Sequence, residues 1–460
     1  MALLLGLDFG TSYFKVGLFD PAGTLRGLGR VAVVKRSPEP GWSELPVEEF
    51  WRLLRTALAN ALAQADASVS DIVGLSYASQ ANTFVLLDRN GEPLTPLVIW
   101  NDRRAHPLEP AVRKFGDSER FRRATGFAGL TPECAPAKWL WFQRHQPDVW
   151  GRATRVMTLS DYFTYSLTGE PVGDGSTAAF TGLYSIAGGE WWPEALGFFS
   201  VPRTMLSHPL PPGAPCGRTV PRALAQLGLP PGVCFAVGGL DHHMAAIGSG
   251  IGRLADASIS TGTVLAALVL VDKVEPVADC YHGPHLNGLF YRLAFDPAGA
   301  NQLEDYQRQS APHLSIAQLV DFAALVPPGM SPESVDREDA GWRHGAIVRG
   351  LMERISATHR ALLQRVQGKR AVRRVIATGG GARSSTWLQI SADMLNATVI
   401  APKCHERACL GAAAFAAVAA GIFDSVPEAL LAMVHSDRVV EPHASTVAIY
   451  AEKRRGVKRL

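Results

Sequence analysis

The chain has 460 residues, with 45 Lys and Arg against 42 Asp and Glu and a formal net charge of +3. The charges are mixed along the sequence, which speaks against a nucleic-acid or acidic-membrane surface, and no apolar run reaches transmembrane length without charges. The length allows two or three domains, each large enough for its own core. The six cysteines (134, 216, 234, 280, 404, 409) show no Cys-x-x-Cys and no paired His spacing. With a first strand that follows the N-terminus directly and no signal-peptide pattern, they read as reduced thiols of a cytoplasmic protein.

In chain order, strands are predicted at 3–9, 13–19 and 29–35, then a helix at about 47–65 with Trp51, Leu54, Leu58, Leu62 and Ala65 at helical spacing. Strand 72–77 follows, then strand 83–88 ending in an Asn90-Gly91 turn. A mixed helical region at 107–152 leads to strand 155–159 and the segment 161–200. The stretch 201–232, rich in Pro and Gly, reads as a link between halves. The second half opens with strand 233–238 and a helix-like HHMAAIGSG. Later come a long helix at about 345–367, strand 373–378, a helix starting near Ser384 or Ser385, and an Ala-rich helix at 408–421 whose small residues permit close packing. The basic tail Lys453, Arg454, Arg455, Lys458, Arg459 reads as a solvated helix end.

Residues 5–20, LGLDFGTSYFKVGLFD, carry the first chemical signal. Asp8, at the end of a strand, can hold a hydrated Mg²⁺. Gly10 lets the backbone approach a phosphate, and the Thr11 and Ser12 hydroxyls can bond its oxygens. Residues 260–272, STGTVLAALVLVD, align on 8–20 without a gap, matching Gly10 to Gly262, Thr11 to Thr263 and Asp20 to Asp272. Two such turns suggest a duplicated architecture with two phosphate clamps, although two unrelated hairpins could match by coincidence. Gly379–Gly381 lies between a strand and a helix start, where backbone N–H groups accept phosphate, but it is neither a Walker loop nor a Rossmann motif. Asp241 stands at a strand-to-helix junction. It is either an N-cap or a general base for a hydroxyl attacking a γ-phosphorus.

Six segments in order, LDFGTSYFKVGLFD, SQANTFVLLDRNGEPLTPLVIWNDRRA, GGLDHHMAAIGSG, STGT, TGGGARSSTWLQISADML and HERACLGAAAFAAVAAG, give the chain its resemblance to the FGGY carbohydrate kinases, of the xylulokinase-like kind. The resemblance implies an α/β fold of two actin-like (ribonuclease H-like) ATPase domains around a central cleft, divided as 1–236 and 237–460. It puts Asp8 at Mg²⁺, with Thr11 and Ser12 near the transferred phosphate, and Asp241 as catalytic base. It puts Thr261, Gly262, Thr263, Gly380, Gly381 and Ser384 at ATP. Gln80, Ala81, Asn82, Trp100, Asp102 and Arg103 fall on the sugar side, with His242 or its neighbour His243 orienting substrate. Trp100 could equally be a core tryptophan, and Arg103 and Arg104 salt-bridged surface residues.

Xylulose kinases of the family carry Gln-Met-His-Gly where this chain has Gln80-Ala81-Asn82-Thr83, and glycerol kinases carry Arg-Glu at Ala81-Asn82. Asn82 offers donor and acceptor to a substrate hydroxyl. The implied activity is ATP- and Mg²⁺-dependent phosphorylation of a primary hydroxyl of an open-chain sugar, a ketopentose such as xylulose. The alternatives are a polyol kinase of the glycerol or erythritol type and a non-catalytic nucleotide-dependent module. The partners implied are a small sugar or polyol and, as one assembly, a homodimer; neither nucleic acid nor membrane is expected.

Overall fold

A computed structural model describes residues 2–457 apart from 263, 298, 300 and 331–339, with side chains up to 453. It is a mixed α/β chain that divides into two compact units. The first gathers Met1–Gly248, Val271–Arg292 and Cys404–Val434; the second gathers Ser249–Leu270, Leu293–Lys403 and His435–Leu460. The Pro- and Gly-rich stretch 201–232 lies inside the first unit, where Pro215–Arg218 is an edge strand.

The main sheet of the first unit runs in the order Pro215–Arg218, Cys234–Ala236, Ile72–Ser79, Leu3–Phe9, Tyr13–Phe19, Leu25–Ala32. Leu3–Phe9 and Tyr13–Phe19 pair antiparallel, while Leu3–Phe9 and Ile72–Ser79 pair parallel. The helix Val47–Ala65 covers one face. Glu48 and Glu49 in its first turn complement the helix dipole, and it stops at Asp66 in the left-handed region. Its buried face, with Phe50, Trp51, Leu54, Ala57, Leu58 and Ala61, packs against Phe9, Phe14, Tyr77 and Phe163. At Gly29 a Cβ would lie 1.7 Å from the Ala57 carbonyl oxygen, so helix and strand meet backbone to backbone. The Ala-rich helix Arg407–Ala419 covers the other side of the same strands. There a Cβ on Gly6 would lie 1.9 Å from Cys409 O.

A second, four-stranded sheet in the first unit has the order Glu44–Leu45, Leu97–Val98, Phe84–Leu87, Arg155–Thr158. Its core gathers Phe84, Trp139, Phe142, Phe121 and Phe127. This sheet displays residues 80–83 just before one strand and residues 99–104 just after another.

In the second unit the strands run Phe290–Asp296, Leu265–Val271, Ala257–Thr261, Arg374–Gly379, Thr398–Pro402, Ser436–Val440. This repeats the first sheet: a three-strand meander, then a parallel strand beside its first member. The gapless match of 8–20 to 260–272 needs one correction. Phe9 pairs with Phe14, leaving 10–13 between them, but Thr261 pairs with Leu265, leaving 262–264. The second turn is one residue shorter, so Gly10 and Gly262 correspond while the returning strands are offset and Asp20 does not correspond to Asp272.

Candidate active site

In the first unit, Asp8 lies near the carboxyl end of Leu3–Phe9, and strand pairing sets Lys15 directly opposite it. Lys15 Nζ is 3.5 Å from Asp8 Oδ2 and 2.9 Å from Glu406 Oε2. Burial pushes the Asp8 carboxyl up to about 6; Lys15 opposes that shift, and the carboxylates of Asp241 and Glu406 add to it. For Lys15 burial works against the charge, but Asp8 and Glu406 outweigh it and hold the ammonium above its usual range.

Asp241 reaches the same edge by a second route. Asp8 pairs with Ala78, and Ala78 pairs in parallel with Gly239, two residues before Asp241. Both acids thus stand at the carboxyl ends of parallel strands, the usual place for ligands on such sheets. Asp241 is the first residue of the short helix Asp241–Ile247 and Leu240 is its N-cap, so the acid is not the cap. Its Oδ1 accepts the His242 backbone N–H at 2.7 Å. His243 turns inward and is fully buried, with Nε2 2.7 Å from His285 Nδ1; burial and its neighbour drive its pKa well down. It is a packed histidine. His242 is partly exposed beside the acid.

The segment expected on the sugar side separates into exposed groups and scaffold. Trp100 is 37% exposed, so it is not a core tryptophan. Its indole N–H donates to Thr11 Oγ1 at 2.8 Å, tying the first phosphate turn to this segment, and its backbone N–H donates to Thr83 Oγ1. The Thr83 hydroxyl in turn donates to Gln80 Oε1 at 3.1 Å. Ala81 is buried and Arg103 is exposed, while Ser12 is exposed in the turn.

Two expectations are corrected here. Asn82, in the left-handed region at φ +62°, donates to Phe180 O at 3.0 Å and accepts from Ala135 N–H at 2.9 Å. Its amide is committed to the scaffold rather than offered to a hydroxyl. Asp102 is wholly buried and accepts from Ser43 N–H, Arg104 N–H and the Arg104 guanidinium. It anchors Arg104, which also reaches Glu44 at 2.6 Å and stacks over Trp42. Lys138, which sequence reasoning passed over, is fully buried beneath Trp100.

In the second unit Thr261 is buried at the strand end and Gly262 is partly exposed in the turn; Thr263 lies outside the described residues. Gly379 has φ +82°, and a Cβ there would come 2.2 Å from Thr261 O, so the glycine run is seated directly on the Gly-Thr strand. A Cβ on Gly380 would meet nothing within 4 Å, whereas Gly381 packs against Thr261 and Trp387. Ser384 Oγ accepts the Trp387 N–H at 3.1 Å, so it caps the helix Ser385–Leu395.

Among the described residues no cluster of three or more His, Cys, Asp or Glu forms a metal cage. Mg²⁺ does not require one, since it keeps several waters and binds through one or two carboxylates and substrate phosphates. Asp8 fits that requirement: its carboxyl is buried, it faces two further carboxylates, and Lys15 stands 3.5 Å away.

Comparison with known proteins places the chain in a family. The model of the FGGY family of carbohydrate kinases, N-terminal domain, matches residues 3–248, and that of its C-terminal domain matches 302–420. The chain is 28% identical to a xylulose kinase of Lactococcus lactis, with 98% of this chain and 95% of the relative covered. It is 26% identical to the L-xylulose/3-keto-L-gulonate kinase of Escherichia coli, covering 98% and 94%. The crystal structure of a xylulose kinase from Rhodospirillum rubrum superposes with a TM-score of 0.87 at 26% identity, over 99% of this chain and 98% of that one. The fold is the two-domain actin-like one, and the chain belongs to the FGGY family of carbohydrate kinases, ATP-dependent phosphotransferases acting on sugars.

Proposed function

We propose that this enzyme transfers the γ-phosphoryl group of ATP to a primary hydroxyl of an open-chain ketose, a ketopentose such as xylulose, in the cytoplasm. The observation that carries the reading is the convergence of Asp8 and Asp241 on neighbouring strand ends of one sheet. Phosphoryl transfer asks little covalent help from protein; it needs a group to take the acceptor proton and charge to meet the phosphate oxygens. Asp241, partly exposed at its helix start, takes the hydroxyl proton on a carboxylate oxygen. Trp100 offers an exposed indole beside the phosphate turn, with Gln80 and Thr83 holding the backbone beneath it.

Mg²⁺, when bound, offsets phosphate charge, and Asp8 would hold it with Thr11 nearby. Thr261, Gly262 and Thr263, with Gly380, Gly381 and the turn capped by Ser384, serve the nucleotide. By sequence the acceptor side is assigned to residues 1–236 and the nucleotide side to 237–460; the compact units cross that division, since 237–248, 271–292 and 404–434 fold with the first unit. The relatives named for xylulose and for L-xylulose/3-keto-L-gulonate support an open-chain ketose acceptor.

A coupled ADP-release screen over ketopentoses, ketohexoses and three- to six-carbon polyols tests the assignment. A ketopentose is expected to give the highest kcat/KM, by about tenfold over polyols. A polyol at the head of the ranking would overturn the ketose reading, and ADP release indifferent to every acceptor would overturn the transfer itself.

A further inference from the structure

Lys138 lies on the helix Ala135–His145, with no exposure to solvent. Its Nζ is 2.9 Å from Trp100 O, 3.1 Å from Ile99 O and 3.4 Å from Asn82 O. A charged ammonium has three protons and no lone pair, so three carbonyl acceptors match it in full. The carboxylate next in line, Asp102, already receives Ser43 and Arg104. Lys138 therefore joins two chain segments, 80–83 and 99–100, that flank separate strands of the small sheet, Phe84–Leu87 and Leu97–Val98. Trp100 hangs from the second segment, and its indole is already directed at Thr11.

We propose that Lys138 is a positioning residue for the acceptor: its protonated ammonium clamps the backbone of residues 82, 99 and 100 and so fixes the Trp100 indole against which the sugar binds. The inference rests on the reading that Trp100 faces the acceptor. Loss of one proton leaves two donors and a lone pair among three carbonyl oxygens, so one contact turns repulsive and the clamp loosens.

The charged and titratable groups facing Lys138 are Asp102 and Arg104 from the Trp100 turn, and Cys134 and Glu133 from the segment leading into its own helix. Asp102, Cys134 and Glu133 favour the ammonium and Arg104 opposes it, but burial dominates and pulls its pKa down from the usual lysine range to about 7. The Cys134 thiol is itself pushed up by burial. The clamp is thus charged below about pH 7 and loses its proton above it. Acceptor affinity follows in that direction.

The test is steady-state kinetics of the full-length enzyme on the best acceptor from the screen, from about pH 6 to about pH 8.5, for the wild type, Lys138→Met and Trp100→Phe. In the wild type the acceptor KM should rise about threefold or more with pH while the ATP KM does not follow. Lys138→Met, close in length but uncharged, should raise the acceptor KM about tenfold and make it insensitive to pH, with ATP KM unchanged. A flat wild-type acceptor KM, or a Lys138→Met enzyme with wild-type acceptor KM, would overturn the proposal. Should Lys138→Met fail to fold, the wild-type profile decides alone. Trp100→Phe separates the two levels: an unchanged acceptor KM removes Trp100 from the pocket and sinks the underlying reading. A raised one, with a flat wild-type profile, sinks only the role of Lys138.

Discussion

Asn82 shows how far a side chain's chemistry depends on what the fold has already asked of it. Its amide can serve a sugar hydroxyl, yet it is spent on the Phe180 carbonyl and the Ala135 N–H. Asn82→Ala strands both buried groups, each at a cost of about 1–3 kcal/mol, and places Ala at φ +62°. We expect a loss of about 2–4 kcal/mol in urea unfolding; an unchanged midpoint with an altered sugar ranking would put the amide back in the pocket. Asp8 makes a different prediction, about pH. Burial raises its carboxyl to about 6, so the folded chain holds that proton more tightly than the unfolded one. On this residue's account stability falls as pH rises from about 4 to about 6, and the carboxylate is present only above that. Catalysis should show an acid limb near pH 6 in kcat/KM, shifted to lower pH by about tenfold more Mg²⁺, since proton and cation compete for one group. A limb indifferent to Mg²⁺ would remove Asp8 from the metal.

At the scale of elements, much was legible because the signals were local. The strands 3–9 and 13–19 and the helix 47–65 appear at their expected bounds, set by alternation, apolar spacing and turn residues. The one-residue slip between the two hairpins was not legible. A gapless match rewards Gly10 over Gly262, while the pairing Thr261 with Leu265 depends on the backbone of the turn. The partners of the site residues were hidden for a related reason. Glu406 meets Lys15 across most of the chain, Asp102 takes Ser43 from another strand's end, and Lys138 reads in sequence as an ordinary helical surface charge.

Two glycines of the same composition separate packing from binding. Gly6→Ala drives a methyl to within 1.9 Å of Cys409 O and should lower Tm or abolish folding. Gly380→Ala meets no protein atom within 4 Å, so Tm should hold while the ATP KM rises about tenfold or more as the methyl enters the nucleotide's space. An ATP KM equal to wild type would show that the glycine turn does not carry the nucleotide.

At the scale of the molecule, the chain returns late to finish what it began early. The first unit is closed by Cys404–Val434, whose helix Arg407–Ala419 lies on strands Leu3–Phe9 and Ile72–Ser79. Residues 1–248 expressed alone should therefore lack a cooperative unfolding transition, and adding 404–434 in trans should restore one; a cooperative 1–248 fragment would show that the helix is dispensable. The strand ends that carry Asp8 and Asp241 belong to this unit, which the late segment completes.

The most direct test of the account replaces Asp241 with Asn, which keeps an oxygen for the His242 N–H and hence the helix start. With the best acceptor and saturating Mg²⁺, kcat and the ATP Kd are measured side by side for wild type and Asp241→Asn. Loss of a positioned base should lower kcat by roughly 10²–10⁴-fold while the ATP Kd stays within about twofold. A variant that kept most of the wild-type turnover would contradict the assignment of Asp241 as the base.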